Sequence, residues 1–273
     1  MKQSFGSMLL VGTFTVCVSC SSPGPSDVQV GPGNSTLNKY HAANNMGRSS
    51  SSLTGLRYQS IREAALSTGA RAGLAWRAKQ INAITYRHER QLDLIYNFHA
   101  MLLDHSVLPP ILIEGRHALD QTSDELLRVS DRAYTILAQA RFVTMPPTWR
   151  EYLLLSYKDP DIPDRSLLPR TDSEKEVWDR YIDEGWQAGI TQADVIFAEN
   201  LGRLKRDYEG MVRYRSLLAQ NMVSLPYVSQ INLGITGGDS QMAINDRVLK
   251  ITALPQFNTA GNEWTTQITP ENR

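Results

Sequence analysis

Cysteine is nearly absent from this 273-residue chain: Cys17 and Cys20 are the only two, and both lie within the first twenty residues. Whatever follows Cys20 folds without a disulfide of its own, even in an oxidising compartment. Net charge is missing as well, because 28 basic and 28 acidic side chains cancel. The chain thus lacks the basic footprint of direct nucleic-acid binding. No apolar run reaches the about 20 residues that a membrane-crossing helix takes. There are five histidines, His41, His88, His99, His105 and His117, and none stands in an H-E-x-x-H or other tight ligand spacing. His99 and His105 lie near Asp104, and His117 lies near Glu114. The glycine-rich pieces lack a following Lys-Ser or Lys-Thr, so there is no phosphate loop. The sequence therefore nominates no catalytic, cofactor or metal residue.

What is present begins with an export signal. Met1-Lys2-Gln3 is a short basic start, Phe5 to Val18 is a nearly uncharged apolar run, and Val18-Ser19-Cys20 closes it with small residues. That is the layout of a secretory signal peptide over residues 1–19. Cys20, behind the small Ser19, resembles the modified cysteine of a bacterial lipobox, although Cys17 stands where such boxes usually carry Leu. Two cleavages compete: one before a diacylated Cys20, the favoured reading, and an ordinary cut after Ser19 or Ser21. Two or three acyl chains would hold the protein firmly, whereas one binds only reversibly. In lipobox proteins Ser21, rather than Asp, favours the outer membrane. The C-x-x-C spacing of Cys17 and Cys20 would suit a redox pair, but it sits inside the signal with no βα unit around it.

Residues 20–54 are built from Ser, Gly, Pro and Asn, as in Gly31-Pro32-Gly33-Asn34 and Ser49-Ser50-Ser51-Ser52. Their few apolar residues show no period, and the stretch reads as a flexible lipidated tether.

From residue 55 to 225 the pattern is mainly helical. Ser60-Ile61-Arg62-Glu63 is a capping box, followed by Ile61, Ala65, Leu66, Ala70 and Leu74 at helical spacing. Gly69 and Gly73 make one small-sided face; arginines around them exclude a membrane span, so close packing within a core is expected. Pro109-Pro110 ends a helical stretch, and Ile111 to Ile113 starts a strand. Residues 125–143 fit both periods; with Ser130-Asp131-Arg132 as a turn, a hairpin is the favoured reading. Thr148-Trp149-Arg150-Glu151 is a second capping box and opens a helix through Tyr157. Asp159 to Arg170 is a proline-rich loop. The longest periodic segment, residues 174–222, carries an aromatic stripe read as a core face and would span roughly 70 Å as one helix; Gly185 and Gly189 are places where it would divide. Residues 226–273 read as short antiparallel strands with turns at Gly234, Gly237-Gly238 and Asn245-Asp246, packed on the helical part. The fold class is α+β.

Several blocks carry a resemblance: Gly73-Leu74-Ala75-Trp76-Arg77, Tyr96-Asn97-Phe98, Gln139-Ala140-Arg141-Phe142-Val143, Pro146-Pro147-Thr148-Trp149-Arg150-Glu151-Tyr152-Leu153, Gly185-Trp186 with Gly189, and Gly210-Met211 with Tyr214. Over about residues 56 to 255 the chain resembles the DotC lipoprotein family, called TraI in one class of conjugative plasmids. The resemblance implies a structural, non-enzymatic subunit in the outer-membrane core of a type IVB secretion system. It implies ring self-association, a DotD-type lipoprotein and a DotH-type channel component as partners, and a place on the periplasmic face of the outer membrane through the lipid on Cys20.

Two alternatives stay beside it. Gly238-Asp239-Ser240 resembles the serine block of an exported esterase class, which would make Ser240 a nucleophile. Such a serine needs a strand-to-helix elbow and a partnered histidine, and no histidine follows His117, so a turn is the better reading. The other alternative is a solitary ligand-binding lipoprotein. Asp159, Asp161 and Asp164 alternate with prolines and read as a solvated loop rather than a calcium site.

Overall fold

Two long helices set the frame. The computed structural model describes residues 34–44, 55–123 and 126–265, an α+β arrangement in which the strands form three separate two-stranded antiparallel ladders. In chain order the elements are α1 (Asn34–His41), α2 (Gly55–Arg87), α3 (Glu89–Ile95), β1 (Val107–Leu108), β2 (Ile111–Ser123), β3 (Leu126–Ala138), β4 (Arg141–Phe142), α4 (Trp149–Leu153), α5 (Asp172–Ala219), β5 (Tyr227–Gly238) and β6 (Gln241–Ala253). No helix among the described residues is long and apolar enough to cross a membrane.

Helix α5 runs unbroken through Gly185 and Gly189 for 48 residues, about 72 Å at 1.5 Å per residue. The two glycines do not divide it because they face the backbone of α2. A Cβ at Gly189 would lie 2.1 Å from the Ala70 carbonyl oxygen, and one at Gly185 2.4 Å from that of Leu66. Gly69 and Gly73 answer from the other side, 2.4 Å from the Ile182 oxygen and 2.3 Å from the Trp186 oxygen by the same construction. The seam is therefore backbone against backbone, as the small face at Gly69 and Gly73 led us to expect.

Along that seam the aromatic stripe of α5 is core. Trp178, Ile182 and Trp186 bury against Ile61, Ala65 and Ala72 of α2. Leu204 and Met211 bury against Phe98, Trp149 and Leu153, and Tyr214 and Leu217 against Leu112 and Val223. Each fully buried side chain such as Ile182 or Met211 contributes about 1.5–3 kcal/mol, so α2 and the strands are fixed to one helix. Burial pushes the Tyr214 phenol up to about 12, and its hydroxyl donates to the Ser224 carbonyl at 3.0 Å.

Local signals were overridden where a tertiary partner offered more. Helix α2 begins at Gly55, upstream of the Ser60 box, and the Ser60 hydroxyl donates back to the Leu56 carbonyl at 3.0 Å. Arg57 draws the extra turn into the helix: its guanidinium reaches both Glu174 oxygens, at 3.1 and 3.2 Å, and the Leu168 carbonyl at 2.9 Å. The second capping box is made, with Thr148 N–H donating to Glu151 Oε1 at 3.0 Å, but α4 stops at Leu153 and not at Tyr157. Asn82 of α2 captures the chain there, its amide donating to the Leu155 carbonyl at 2.7 Å and accepting from the Leu155 N–H at 3.0 Å. An extended segment satisfies both bonds.

Glu174 gives an acid-stability prediction. Burial alone pushes its carboxyl up, but the Arg57 guanidinium and the Arg170 amide outweigh this and hold it below its ordinary 4.5. A carboxylate depressed in the folded state stabilises fully above its unfolded value, and that contribution is lost as pH falls through the folded one. Between about pH 5 and pH 3, Tm of the wild type should therefore fall more than Tm of Glu174→Gln. Parallel melting curves that decline equally would refute this.

The strands correct two further expectations. Segment 126–138 does not turn at Ser130-Asp131-Arg132; β3 runs straight through and pairs along its length with β2, Glu114 opposite Tyr134 and Leu119 opposite Val129. One long partner satisfies the backbone of both strands. The C-terminal region is one long hairpin, β5 with β6, in which Gly234 and Asn245 mark register shifts rather than turns. Nor is it packed on the helices along its length. Among the described residues its root and the segment after it are what hold it to the end of α5, through the Val223–Phe257 bridge, the Ser224 N–H donating to the Gln256 carbonyl and the Asn258 N–H to the Met222 carbonyl, both at 2.9 Å.

Candidate docking surfaces

Residues 34–44, part of the expected tether, are not a free linker. Leu37 and Tyr40 of α1, with Ala43 just past its end, enter the core beside Trp178. The Tyr40 hydroxyl donates to the Pro160 carbonyl at 3.1 Å, and Trp178 Nε1 donates to the Tyr40 carbonyl at 3.0 Å. His41 stands between two carboxylates of α5, with Nδ1 2.8 Å from Asp179 and Nε2 2.9 Å from Asp183. A neutral ring donates to only one of them and a protonated ring to both. Burial, then Asp159 and Asp161, raise the Tyr40 phenol above its usual value. The three-residue spacing of Leu37, Tyr40 and Ala43 was the available signal, hidden by the Ser/Gly/Pro composition on either side.

Cys20, the expected lipid-attachment residue, lies outside the described residues. Asp239 and Ser240 form the exposed turn between β5 and β6, a strand-to-strand corner and not a strand-to-helix elbow. The histidines are dispersed: His41 on α1, His88 bonded to Gln91 at 3.1 Å, His99 and His105 in short 3-10 turns, and His117 on β2. Asp159 pairs with Lys79 at 2.5 Å, and Asp164 accepts the Ser166 N–H at 2.8 Å. Among the described residues no three of His, Cys, Asp and Glu gather where they would hold a metal.

What the fold presents instead is surface. Both hairpins rise from one cluster at the C-terminal end of α5, where Leu112, Tyr214, Leu217 and Val223 are buried with Tyr134 and Phe257 beside them. Gly210 lets β2 cross α5 closely, since a Cβ there would be 3.0 Å from the Leu112 nitrogen. Arg213 fixes the crossing by donating to the Leu112 carbonyl at 2.9 Å. Away from these roots both hairpins leave large apolar side chains open among their polar and charged ones: Leu119, Leu127 and Val129 on the first, and Ile231, Ile235, Met242 and Ile244 on the second, are exposed. Between the roots lies an open recess of about 750 Å³ whose lining includes Tyr134, Met222, Phe257 and Trp264 with Arg132 and Asn258. The recess is roomy enough and apolar enough to hold an aromatic or aliphatic side chain.

A family model described as "Type IV secretory system, conjugal DNA-protein transfer" matches residues 55–266. The matched stretch starts with the first residue of α2 and takes in both hairpins. No curated protein matches the chain.

Proposed function

Because the chain belongs to this type IV secretory system family of conjugal DNA–protein transfer, we propose that it works there as a DotC-like structural lipoprotein of the outer-membrane core complex. The observation that carries the proposal is the pair of hairpins whose large apolar side chains are left exposed by the described residues, on a two-helix frame. A monomeric soluble protein shows contiguous apolar patches of a few hundred Å², and larger ones belong to interfaces. In this reading the lipid on Cys20 holds the protein to the periplasmic face of the outer membrane, and α1 ties the anchored segment to the frame. The hairpins and the recess then receive a DotD-type lipoprotein, a DotH-type channel component and further copies in a ring. The zero net charge supports a subunit that orients its neighbours without gripping nucleic acid.

The docking of α1 shortens the leash. Thirteen residues separate Cys20 from Asn34, and at about 3.3–3.6 Å per residue they reach roughly 45 Å when fully extended. The frame would therefore stay close to the bilayer.

Cys20→Ser should leave the circular-dichroism spectrum unchanged and move the protein from the outer-membrane fraction to the soluble periplasmic one. Recovery of the variant in the membrane fraction at the wild-type level would overturn the anchor. Mild-detergent purification of the wild type should bring envelope companions with it; a lone particle would overturn the assembly role.

A further inference from the structure

We propose that the β5–β6 hairpin of one copy pairs edge to edge with the β2–β3 hairpin of the next copy, so that the hairpins are the two halves of a head-to-tail contact between copies of this chain. The proposal rests on the ring reading above and names the surface that would build it.

Four observations carry it. Among the described residues each hairpin is a sheet of two strands with both edges open, and isolated two-stranded hairpins are at best marginally stable in water. The strands match in length, 13 residues in β2, β3 and β6 and 12 in β5. The two hairpins are rooted in one cluster yet do not pair with each other, which leaves the edges of each free for a neighbour. Finally, β5 has neither a charge nor a proline among its 12 residues, and those are the devices by which exposed edges normally resist pairing. Its stretch from Val228 to Asn232 keeps regular register before the shift at Gly234.

Area points the same way. Seven large apolar side chains of β5 and β6, from Tyr227 to Val248, are 46–70% exposed. Together they show on the order of 800 Å², the share one partner gives to an interface of standard size. They stand in cross-strand pairs, Ile231 with Val248 and Ile235 with Ile244, and Leu119 pairs with Val129 on the other hairpin. Val228, Leu249 and Ile251 take the alternate face of the β5–β6 root, so apolar side chains stand on both sides of the sheet. A sheet of that kind is better extended at its edge than capped on one face. Pairing β5 with β5 about a twofold axis would close at two copies, whereas a head-to-tail contact can close into a ring.

The test uses full-length protein in detergent, with native mass spectrometry or sedimentation as readout. The wild type should form multi-copy assemblies. Ile231→Asp with Ile235→Asp, and separately Leu119→Asp with Val129→Asp, should each weaken assembly at least tenfold and leave monomers. Both pairs sit at exposed positions. A one-to-one mixture of the two variants should then give dimers and nothing larger, because each brings one intact hairpin; a misfolded variant could not do this. A wild type that stays monomeric would overturn both the pairing and the ring. Variants that assemble like the wild type would overturn the pairing while leaving a ring built on another surface. A mixture without dimers would show that the hairpins meet something other than each other.

Discussion

Gly189→Ala should lower Tm by about 6–12 °C, corresponding to a loss of about 3 kcal/mol at the upper end of overpacking costs. The sign is what makes the result informative. In an exposed helix interior the same substitution gains about 0.5–1 kcal/mol, because alanine is the better helix former. At Gly189 the added methyl would meet the Ala70 carbonyl oxygen at 2.1 Å and the Leu74 nitrogen at 2.7 Å. Both are backbone atoms and cannot rotate away, so α2 and α5 must separate along a seam that also holds Trp76 and Trp186, whose rings lie 5.5 Å apart. Gly202 lies in the same helix with nothing within 4 Å of its Cβ position, and Gly202→Ala should raise Tm slightly. Melting curves for the two variants decide the matter: if Gly189→Ala is as stable as Gly202→Ala, the close seam is wrong.

The second large effect is expected at Trp178, which is fully buried and whose Nε1 donates to the Tyr40 carbonyl at 3.0 Å. Trp178→Ala should cost about 3–5 kcal/mol, the range for emptying a buried aromatic site, and should release α1 at the same time. Tyr40→Ala keeps that carbonyl but removes the buried ring and its hydroxyl's bond to the Pro160 carbonyl, and it leaves the α2–α5 seam intact. It should expose residues 34–44 to hydrogen exchange while the protection of α5 stays at the wild-type level, since proteins open in local units. Equal loss of protection across α1 and α5 would mean that α1 is part of the global fold rather than a latch upon it. The distinction matters for the anchor: an unlatched α1 returns residues 34–44 to the leash and lengthens it.

How much could be read beforehand varies by element and for physical reasons. Gly69 and Gly73 were legible because small residues four apart in a helical pattern have few uses besides close approach, and the structure seats them against Ile182 and Trp186 of α5. The aromatic period of α5 was legible because 3.6-residue spacing survives any tertiary detail. Other features had no local signature. Asn82 ends α4 from 73 residues away, Arg57 lengthens α2 by reaching Glu174 across 117, and the partner of β3 could not be inferred from alternation alone. The docking surfaces were invisible for a related reason: apolar alternation in β5 and β6 reads as a buried sheet, and only coordinates show that nothing in the described chain covers it.

The sequence by itself determined the helical frame, the strand character of both ends of the β region and the secretory kinship, because these depend on periodicity and on short runs whose meaning is local. Tertiary structure alone decided that α5 is continuous, that part of the supposed linker is a docked helix and that none of the described residues covers the exposed apolar side chains of the hairpins. Each of those is settled by which backbone or ring a residue meets across the fold, and contacts between residues a hundred positions apart leave no periodic trace along the chain.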